Sequence, residues 1–288
     1  MNMNFDQAAN LRKLTERMGK GVDLSFQHVV RNLFPADKPV FVFVGEGAGI
    51  ISFSALMGNL AVALSRRGTV LACCEAHSHS MSIGRLFARE SLPLSAFARG
   101  AARLPRVIVD FSERIKLISG FEAVEGINEW DPDKKFLFFQ AMEGMCRNTV
   151  DMVFVNETDL RFAPVMDHIV IVLSPDDDSV ISAYKKVKLI HEMNEDARFY
   201  SIVNHVHTPA QGKEVSARFQ ESVEKFLGVS VRSLGCSLLT PEVLRSIKQR
   251  KAYVLSYVYS KSAAHIREIA QNIEHVSSRA KKPKIPWS

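Results

Sequence analysis

The chain has 288 residues, of which 47% are hydrophobic and 24% are charged, and its formal net charge at pH 7 is +6. This balance is typical of globular proteins with a sizeable core. No apolar run is long enough to span a bilayer, and the polar N-terminus lacks the apolar core of a signal peptide, so we expect a cytoplasmic protein. Because the positive charge is modest and is not interleaved with aromatic residues, no nucleic-acid surface is predicted.

The first predicted elements are two helices. Residues 5–18 place Phe5, Ala8, Leu11, Leu14 and Met18 at spacings of three and four, which predicts one apolar stripe on a helix. A second, shorter helix is predicted over 25–33, before the proline-containing linker "PADKP". We therefore predict an N-terminal helical extension over residues 1–37.

The rest of the chain alternates between short apolar strands and amphipathic helices, over a predicted domain at 38–276. Strands are predicted at 40–44, 69–74, 106–109, 115–118, 151–155, 168–173, 199–204 and 231–235. Helices are predicted at 53–66, 80–89, 134–147, 178–193, 212–227, 241–248 and 262–275. This alternation predicts an α/β fold with an open, mainly parallel sheet and helices on both faces. The basic segment 277–288 is predicted to be a disordered tail.

The first strand of this domain runs into a glycine-containing turn. It ends at Gly45, Gly47 and Gly49 follow, and a helix begins soon after. Ligands bind at the carboxyl ends of strands in such sheets, so a phosphate-binding loop is expected here. A working loop also needs a lysine for the phosphates and a serine or threonine for Mg²⁺. The chain has no lysine between Lys38 and Lys116.

The stretch "GNLAVALSRRGTVLACCEAH", residues 58–77, resembles the MinD/ParA-like ATPases, which are P-loop NTPases of the SIMIBI class. The resemblance implies that Gly47 and Gly49 correspond to glycines of the phosphate loop. It places Ala48 at the signature lysine and Phe53 at the phosphate-binding lysine. Ser54 takes the place of the threonine that binds magnesium and keeps its hydroxyl.

Other positions of the implied site also depart from the family pattern. The aspartate pair after the second strand is replaced by Glu75 and His77, and Asn156 replaces the aspartate of the third motif. Asn204 matches the asparagine that reads adenine in the family, although we favour the interpretation that it caps a turn.

These departures predict a pseudo-ATPase with no bound cofactor. Phosphoryl transfer is catalysed almost entirely by positioning and charge neutralisation, and several charged groups are missing together. In the family the dimer relies on the signature lysine, so Ala48 predicts a monomer, or a dimer held by other contacts, and not an ATP-sandwich dimer. The alternative is a MinD/ParA-type ATPase with an atypical loop that still binds ATP and Mg²⁺ in flagellar or polar positioning.

The N-terminal stretch "FDQAANLRKL" resembles the DQAxxLR motif of the flagellar-number regulators FlhG and FleN. The matching residues are Asp6, Gln7, Ala8, Leu11 and Arg12. In that family the helix binds FlhF, an SRP-type GTPase, and its glutamine helps to complete the partner's active site. The resemblance therefore implies a regulator of flagellar number or placement that activates an FlhF-like GTPase.

Further partners implied are flagellar basal-body proteins or transcriptional regulators, with recruitment to the cell pole or membrane by the partner. A positioning adaptor for other polar machinery is a weaker alternative. We expect no stable membrane insertion, because the apolar stripe of the last helix is narrow and suits packing on the sheet.

Two histidine pairs and four cysteines are the candidate metal ligands in the sequence. His77 and His79, and His205 and His207, lie near predicted strand ends, but the favoured interpretation is loop residues without metal. The cysteines show no paired metal spacing and are predicted to be buried, reduced thiols. In the acidic stretch "SPDDDSV", Asp178 or Ser179 is predicted to cap the next helix.

Overall fold

The computed structural model describes residues 24–34, 37–45, 50–76, 82–89, 91–158 and 160–280. Eight strands form one sheet in the order β3-β4-β2-β5-β1-β6-β7-β8. The strands are β1 (Val40–Val44), β2 (Leu71–Glu75), β3 (Ile108–Ser112), β4 (Ile115–Ser119), β5 (Met152–Glu157), β6 (His168–Leu173), β7 (Arg198–Val206) and β8 (Val231–Leu238). All neighbouring pairs are parallel except β3 and β4. The open, mainly parallel sheet is thereby confirmed.

Helices connect the strands. In the described ranges they are α1 (Leu24–Leu33), α2 (Ile50–Arg66), α3 (Ile83–Leu86), α4 (Leu94–Ala98), α5 (Pro132–Asn148), α6 (Asp177–Met193), α7 (Pro209–Leu227), α8 (Pro241–Lys248), α9 (Tyr253–Ser256) and α10 (Lys261–Ala280). Short 3₁₀ segments cover Leu104–Arg106, Phe121–Glu129 and Ala163–Val165. The ends follow the local sequence: Thr208 caps α7, Pro209 begins it, and Gly228 ends it in the left-handed conformation.

Helices cover both faces of the sheet because the buried strands are apolar on both sides. In β1, Val42 and Val44 belong to one hydrophobic cluster, while Phe41 and Phe43 belong to a second. Since side chains alternate along a strand, the two clusters lie on opposite faces. Helices α5, α6 and α7 pack in the first cluster, and α2 and α10 pack in the second.

Part of the predicted N-terminal extension packs on this domain. Val30 and Leu33 of α1 are buried in the first cluster. The helix contacts α5 and the segment Ala163–Val165. The residues before Leu24 lie outside the described ranges.

Three local predictions were wrong. Within the described part of the helix predicted over 80–89, residues 82–89, the helix is only α3, because Ser82 caps its start and Ala88 adopts a left-handed backbone (φ 56°) just after its end. Asp176, and not Asp178 or Ser179, caps α6 by accepting a bond from the Ser179 amide. The last helix continues to Ala280, beyond the predicted start of the tail at 277.

All four cysteines are buried and free, as predicted. Helix α10 packs on β8 and α2, which also agrees with its predicted role. Within the described residues, none of the helices is both long enough and apolar enough to cross a membrane.

Candidate functional site

The candidate site lies at the edge of the sheet where β1, β2 and β5 end. The register pairs Val44 with Glu157 and Glu75 with Asn156, so the last residues of these strands are neighbours. The Gly45 amide extends the ladder by donating to the Glu157 carbonyl at 3.1 Å. This is the edge at which parallel α/β sheets bind ligands, next to the start of α2.

Phe53 fills space beside the turn that follows β1. Its side chain is 5% exposed and belongs to the same hydrophobic cluster as Phe41 and Phe43. The ring lies directly against Gly45, since a Cβ placed on that glycine would be 2.8 Å from the ring. The position that the resemblance assigns to the phosphate-binding lysine is therefore part of the core.

A lysine does reach the turn, but from another helix. Lys186 of α6 donates from Nζ to the Gly45 carbonyl oxygen at 2.6 Å. The sequence separation is 141 residues, so no local pattern could have indicated this contact. This bond ties α6 to the main chain at the end of β1.

Two buried polar side chains at this edge have an atom without a described partner. The Ser54 hydroxyl oxygen and the Asn156 Oδ1 atom are both buried, and neither accepts or donates a hydrogen bond within the described part of the chain. Buried polar atoms are nearly always bonded, so these two are the features that best fit a bound ligand or water.

Glu75 is buried, with 1% exposure, and its carboxylate is bound to its own chain. Oε1 accepts from the Ile83 amide at 2.5 Å, which anchors the start of α3, and Oε2 accepts from the Ser119 hydroxyl at 2.9 Å. Burial raises the pKa of Glu75 to about 7, and the bonds from Ile83, Ser119 and Gly84 offset part of that effect. The carboxylate acts as an anchor for α3.

Glu157 is a second buried carboxylate, also 1% exposed, and sequence reasoning missed it. It accepts bonds from the amides of Arg161, Phe162 and Ala163 at 2.6, 2.8 and 2.7 Å. The carboxylate therefore closes the turn after β5 in the way that a capping residue closes a helix. The sequence feature that could have indicated its role is an acidic residue at the end of a predicted strand, directly after Asn156.

One feature of the described residues suits the binding of ATP and Mg²⁺, and two features do not. The Ser54 hydroxyl is a suitable magnesium ligand. However, a buried ring replaces the lysine. The carboxylates of Glu75 and Glu157 accept hydrogen bonds from their own chain, Glu75 from the Ile83 amide and the Ser119 hydroxyl, and Glu157 from backbone amides. The described residues therefore do not fit the group as a set.

Asn204 does not cap a turn, which corrects our favoured interpretation. It lies inside β7, is buried, and accepts a hydrogen bond at Oδ1 from the Ser237 hydroxyl of β8. The strand continues to Val206, past the predicted end at 204, and Asn204 lies in the irregularity of the β7–β8 register between Val203 and Val206. Its observed contact joins two strands.

Several predicted residues lie outside the described ranges. These are Asp6, Gln7, Ala8, Leu11 and Arg12 of the N-terminal motif, and Gly47, Ala48, Gly49, His77 and His79 near the strand ends. Of the second histidine pair, His205 has a left-handed backbone (φ 65°), and burial lowers its pKa. Among the described residues, no group of three or more His, Cys, Asp or Glu side chains forms a metal site.

Comparison with known proteins places this geometry in context. The chain is 18% identical over 239 residues to the antiactivator FleN of Pseudomonas aeruginosa, covering 81% of this chain and 85% of FleN. It is 24% identical over 219 residues to the flagellum site-determining protein YlxH of Helicobacter pylori, covering 73% and 74%. No family model matches the chain.

Solved structures agree on the fold. The cell division protein MinD of Aquifex aeolicus superposes with a TM-score of 0.59 at 15% identity, covering 87% of this chain and 99% of MinD. At this identity the likeness shows the fold alone, and the two flagellar relatives supply the link to a biological process.

Proposed function

We infer that this chain, which belongs to the MinD/ParA-like flagellar regulators of the FlhG/FleN type, acts without hydrolysing ATP and presents its N-terminal helix to a partner GTPase. The observation that carries the first part is the buried Phe53 ring packed on Gly45. It occupies the position where the family holds a cation, and phosphoryl transfer depends on charge neutralisation there.

The carboxylates of Glu75 and Glu157, which already accept hydrogen bonds from the protein, also support the inference that the chain does not hydrolyse ATP. Glu75 and Glu157 each bind backbone amides of the chain, so neither is available to position magnesium without breaking those bonds. Removing a single transition-state contact costs roughly 3–4 kcal/mol in enzymes of known mechanism. Because several such contacts are missing together, we infer that β1 and α2 serve as a structural scaffold and not as a catalytic site.

The resemblance of the N-terminal helix supports the second part. Gln7 supplies a neutral amide of the kind that orients an attacking water in GTPases. Arg12 offers a charge-assisted bond to the partner, and Leu11 an apolar contact for a groove. The partner proposed is an FlhF-like, SRP-type GTPase, with flagellar transcriptional regulators as the further candidates, since FleN is an antiactivator.

A GTPase assay tests the activator role. We expect the full-length chain to stimulate GTP hydrolysis by the cognate FlhF-like protein, and Gln7→Ala to abolish most of the stimulation, because the amide that positions water is lost. The matched control is Asn10→Ala, at a variable position of the motif, which should keep stimulation. Equal loss in both variants, or no stimulation by the unmodified chain, would rule out this role.

Nucleotide binding is the competing function, and the unpartnered atoms of Ser54 and Asn156 favour it. Calorimetry with ATP and Mg²⁺ separates the two. We expect no heat of binding, since the buried Phe53 ring stands where the resemblance places the phosphate-binding lysine. Micromolar affinity that disappears in Ser54→Ala would establish a working nucleotide site and contradict the pseudo-ATPase inference.

A further inference from the structure

A cavity of about 890 Å³ lies at the opposite edge of the sheet from the candidate site. Its lining includes Gly68, just before β2, and Ile115, the first residue of β4, so it sits where these strands begin. The five residues of β2 separate the two edges by roughly 15 Å. The cavity is therefore a surface of its own and does not belong to the phosphate-loop region.

The floor of the cavity is apolar and held in place by packing. Phe87 and Phe111 line it and contact each other edge to face, with ring centroids 5.7 Å apart. Phe87 rests on helix α2 at Gly58, where an added Cβ would lie 2.0 Å from the ring. Val62 and Ala252 extend the same floor. A floor built this way is preformed, which lowers the entropy cost of binding.

The rim of the cavity is strongly cationic. Among the described residues, its lining contains one carboxylate, Glu113, and six cationic side chains: Arg66, Arg67, Arg89, Arg114, Arg250 and Lys251.

Two of the rim cations have partners within the protein. Arg67 pairs with Glu274 at 2.6 Å, and Arg114 donates to the Gly68 carbonyl at 2.8 Å. The other four have no ion pair to any described residue. Like charges crowded around one cavity repel one another unless a bound anion neutralises them.

Arg250 adds a second observation that points to a ligand. It has a left-handed backbone (φ 54°) at the end of α8, where the Arg250 and Lys251 amides bond to the carbonyls of Ile247 and Ser246. Glycine is the residue favoured at such a helix end, and a larger residue there carries a backbone cost. Arg250 thus lines the cavity while its backbone adopts a conformation that favours glycine.

Apolar side chains are exposed in the cavity and in the segments next to it along the chain. Leu255 of α9 lines the cavity and is half exposed. Leu244 of α8, and Val258 and Tyr259, which follow α9, are also exposed. Exposed aromatic and aliphatic side chains beside arginines are the composition of protein interfaces.

We propose that this basic cavity docks an acidic, amphipathic segment of a partner protein. The carboxylates of the segment would accept bidentate hydrogen bonds from Arg66, Arg89 and Arg250. Its apolar side chains would pack on the floor of the cavity between Phe87 and Leu255. The chain's own ends do not suit the cavity, because "KKPKIPWS" is basic and residues 1–20 carry more basic than acidic side chains. A concave site also disfavours a flat membrane surface. This inference is independent of the GTPase proposal, which concerns the N-terminal helix.

Selection of peptides from a random 16-residue phage-display library on the full-length chain tests the proposal. We expect the enriched peptides to combine acidic and apolar residues, and their affinity to fall with salt. Arg66→Ser and Arg250→Gly should each weaken the best peptide by about tenfold or more. Arg250→Gly is the decisive variant, because glycine suits the left-handed backbone and the melting temperature should stay equal or rise. Arg103→Ser, an exposed arginine outside the cavity, is the matched control and should bind normally.

Three results would overturn the proposal. One is enrichment of peptides without acidic residues. Another is peptide affinity that is unchanged in Arg250→Gly. The third is binding of the chain to vesicles of phosphatidylglycerol that depends on Arg66 and Arg250 while acidic peptides fail to bind, which would identify a lipid surface as the ligand.

Discussion

Replacing Phe53 with lysine is expected to lower the free energy of unfolding by about 4 kcal/mol, and not to create an ATP site. The phenyl ring is 5% exposed and packs on Gly45, so its removal empties a core position, and the ammonium group would have to be buried or forced out of the helix packing. Urea denaturation followed by circular dichroism measures the change.

The control for this experiment is Phe53→Leu. Leucine keeps an apolar side chain in the cluster, so we expect a loss of only about 1 kcal/mol. A lysine variant as stable as the unmodified chain would mean that position 53 tolerates a charge and faces an open site. Gain of ATP affinity in that variant would contradict the inference that the loop has lost its nucleotide.

Replacing Glu75 with glutamine should change how stability depends on pH. Burial raises the pKa of Glu75 to about 7 from an ordinary value of 4.5, so between these pH values the folded protein keeps a proton that the unfolded chain releases. Stability from this group is therefore present below pH 4.5 and is lost as pH rises to 7, by about 3 kcal/mol. Glutamine has no proton to lose and can still accept the Ile83 amide bond.

We therefore expect the stability difference between Glu75→Gln and the unmodified chain to move by about 3 kcal/mol in favour of the variant between pH 4.5 and pH 8. Urea denaturation at several pH values measures it. His168, whose pKa burial lowers to about 4, contributes the opposite slope, but it is present in both proteins and cancels in the difference.

Ser119→Ala provides a directional control. The Ser119 hydroxyl favours the ionised carboxylate, so removing it should raise the pKa of Glu75 further and extend the loss of stability to higher pH. A difference between Glu75→Gln and the unmodified chain that does not vary with pH would show that folding does not raise the pKa of Glu75.

The sequence predicted the strands and the positions of the candidate site residues, but not the contacts that their side chains make. All eight strands were predicted within a few residues, because each is a short apolar run between turns and its burial on both faces is written in its own residues. The motif resemblance also placed Phe53, Ser54, Glu75 and Asn156 at one edge of the sheet, and the register of β1, β2 and β5 brings the ends of these strands together.

Sequence patterns could not predict the hydrogen-bond partners of the buried polar side chains. Glu75 could equally have faced a ligand, and only the position of α3 gives it the Ile83 amide. Glu157 was overlooked because three backbone amides bind it only once the chain folds back after β5. Asn204 was assigned to a turn because the end of β7 was placed two residues early.

The sequence by itself determined the layered α/β architecture, the buried strands and the resemblance to MinD/ParA-like proteins, since periodicity and motif spacing are local properties of the chain. Only the tertiary structure decided that Lys186 holds the turn at Gly45 and that Arg66, Arg89 and Arg250 surround one cavity. These groups come from segments far apart in sequence. Their proximity depends on how helices pack across the sheet, and that packing is set by the whole core and not by any one segment.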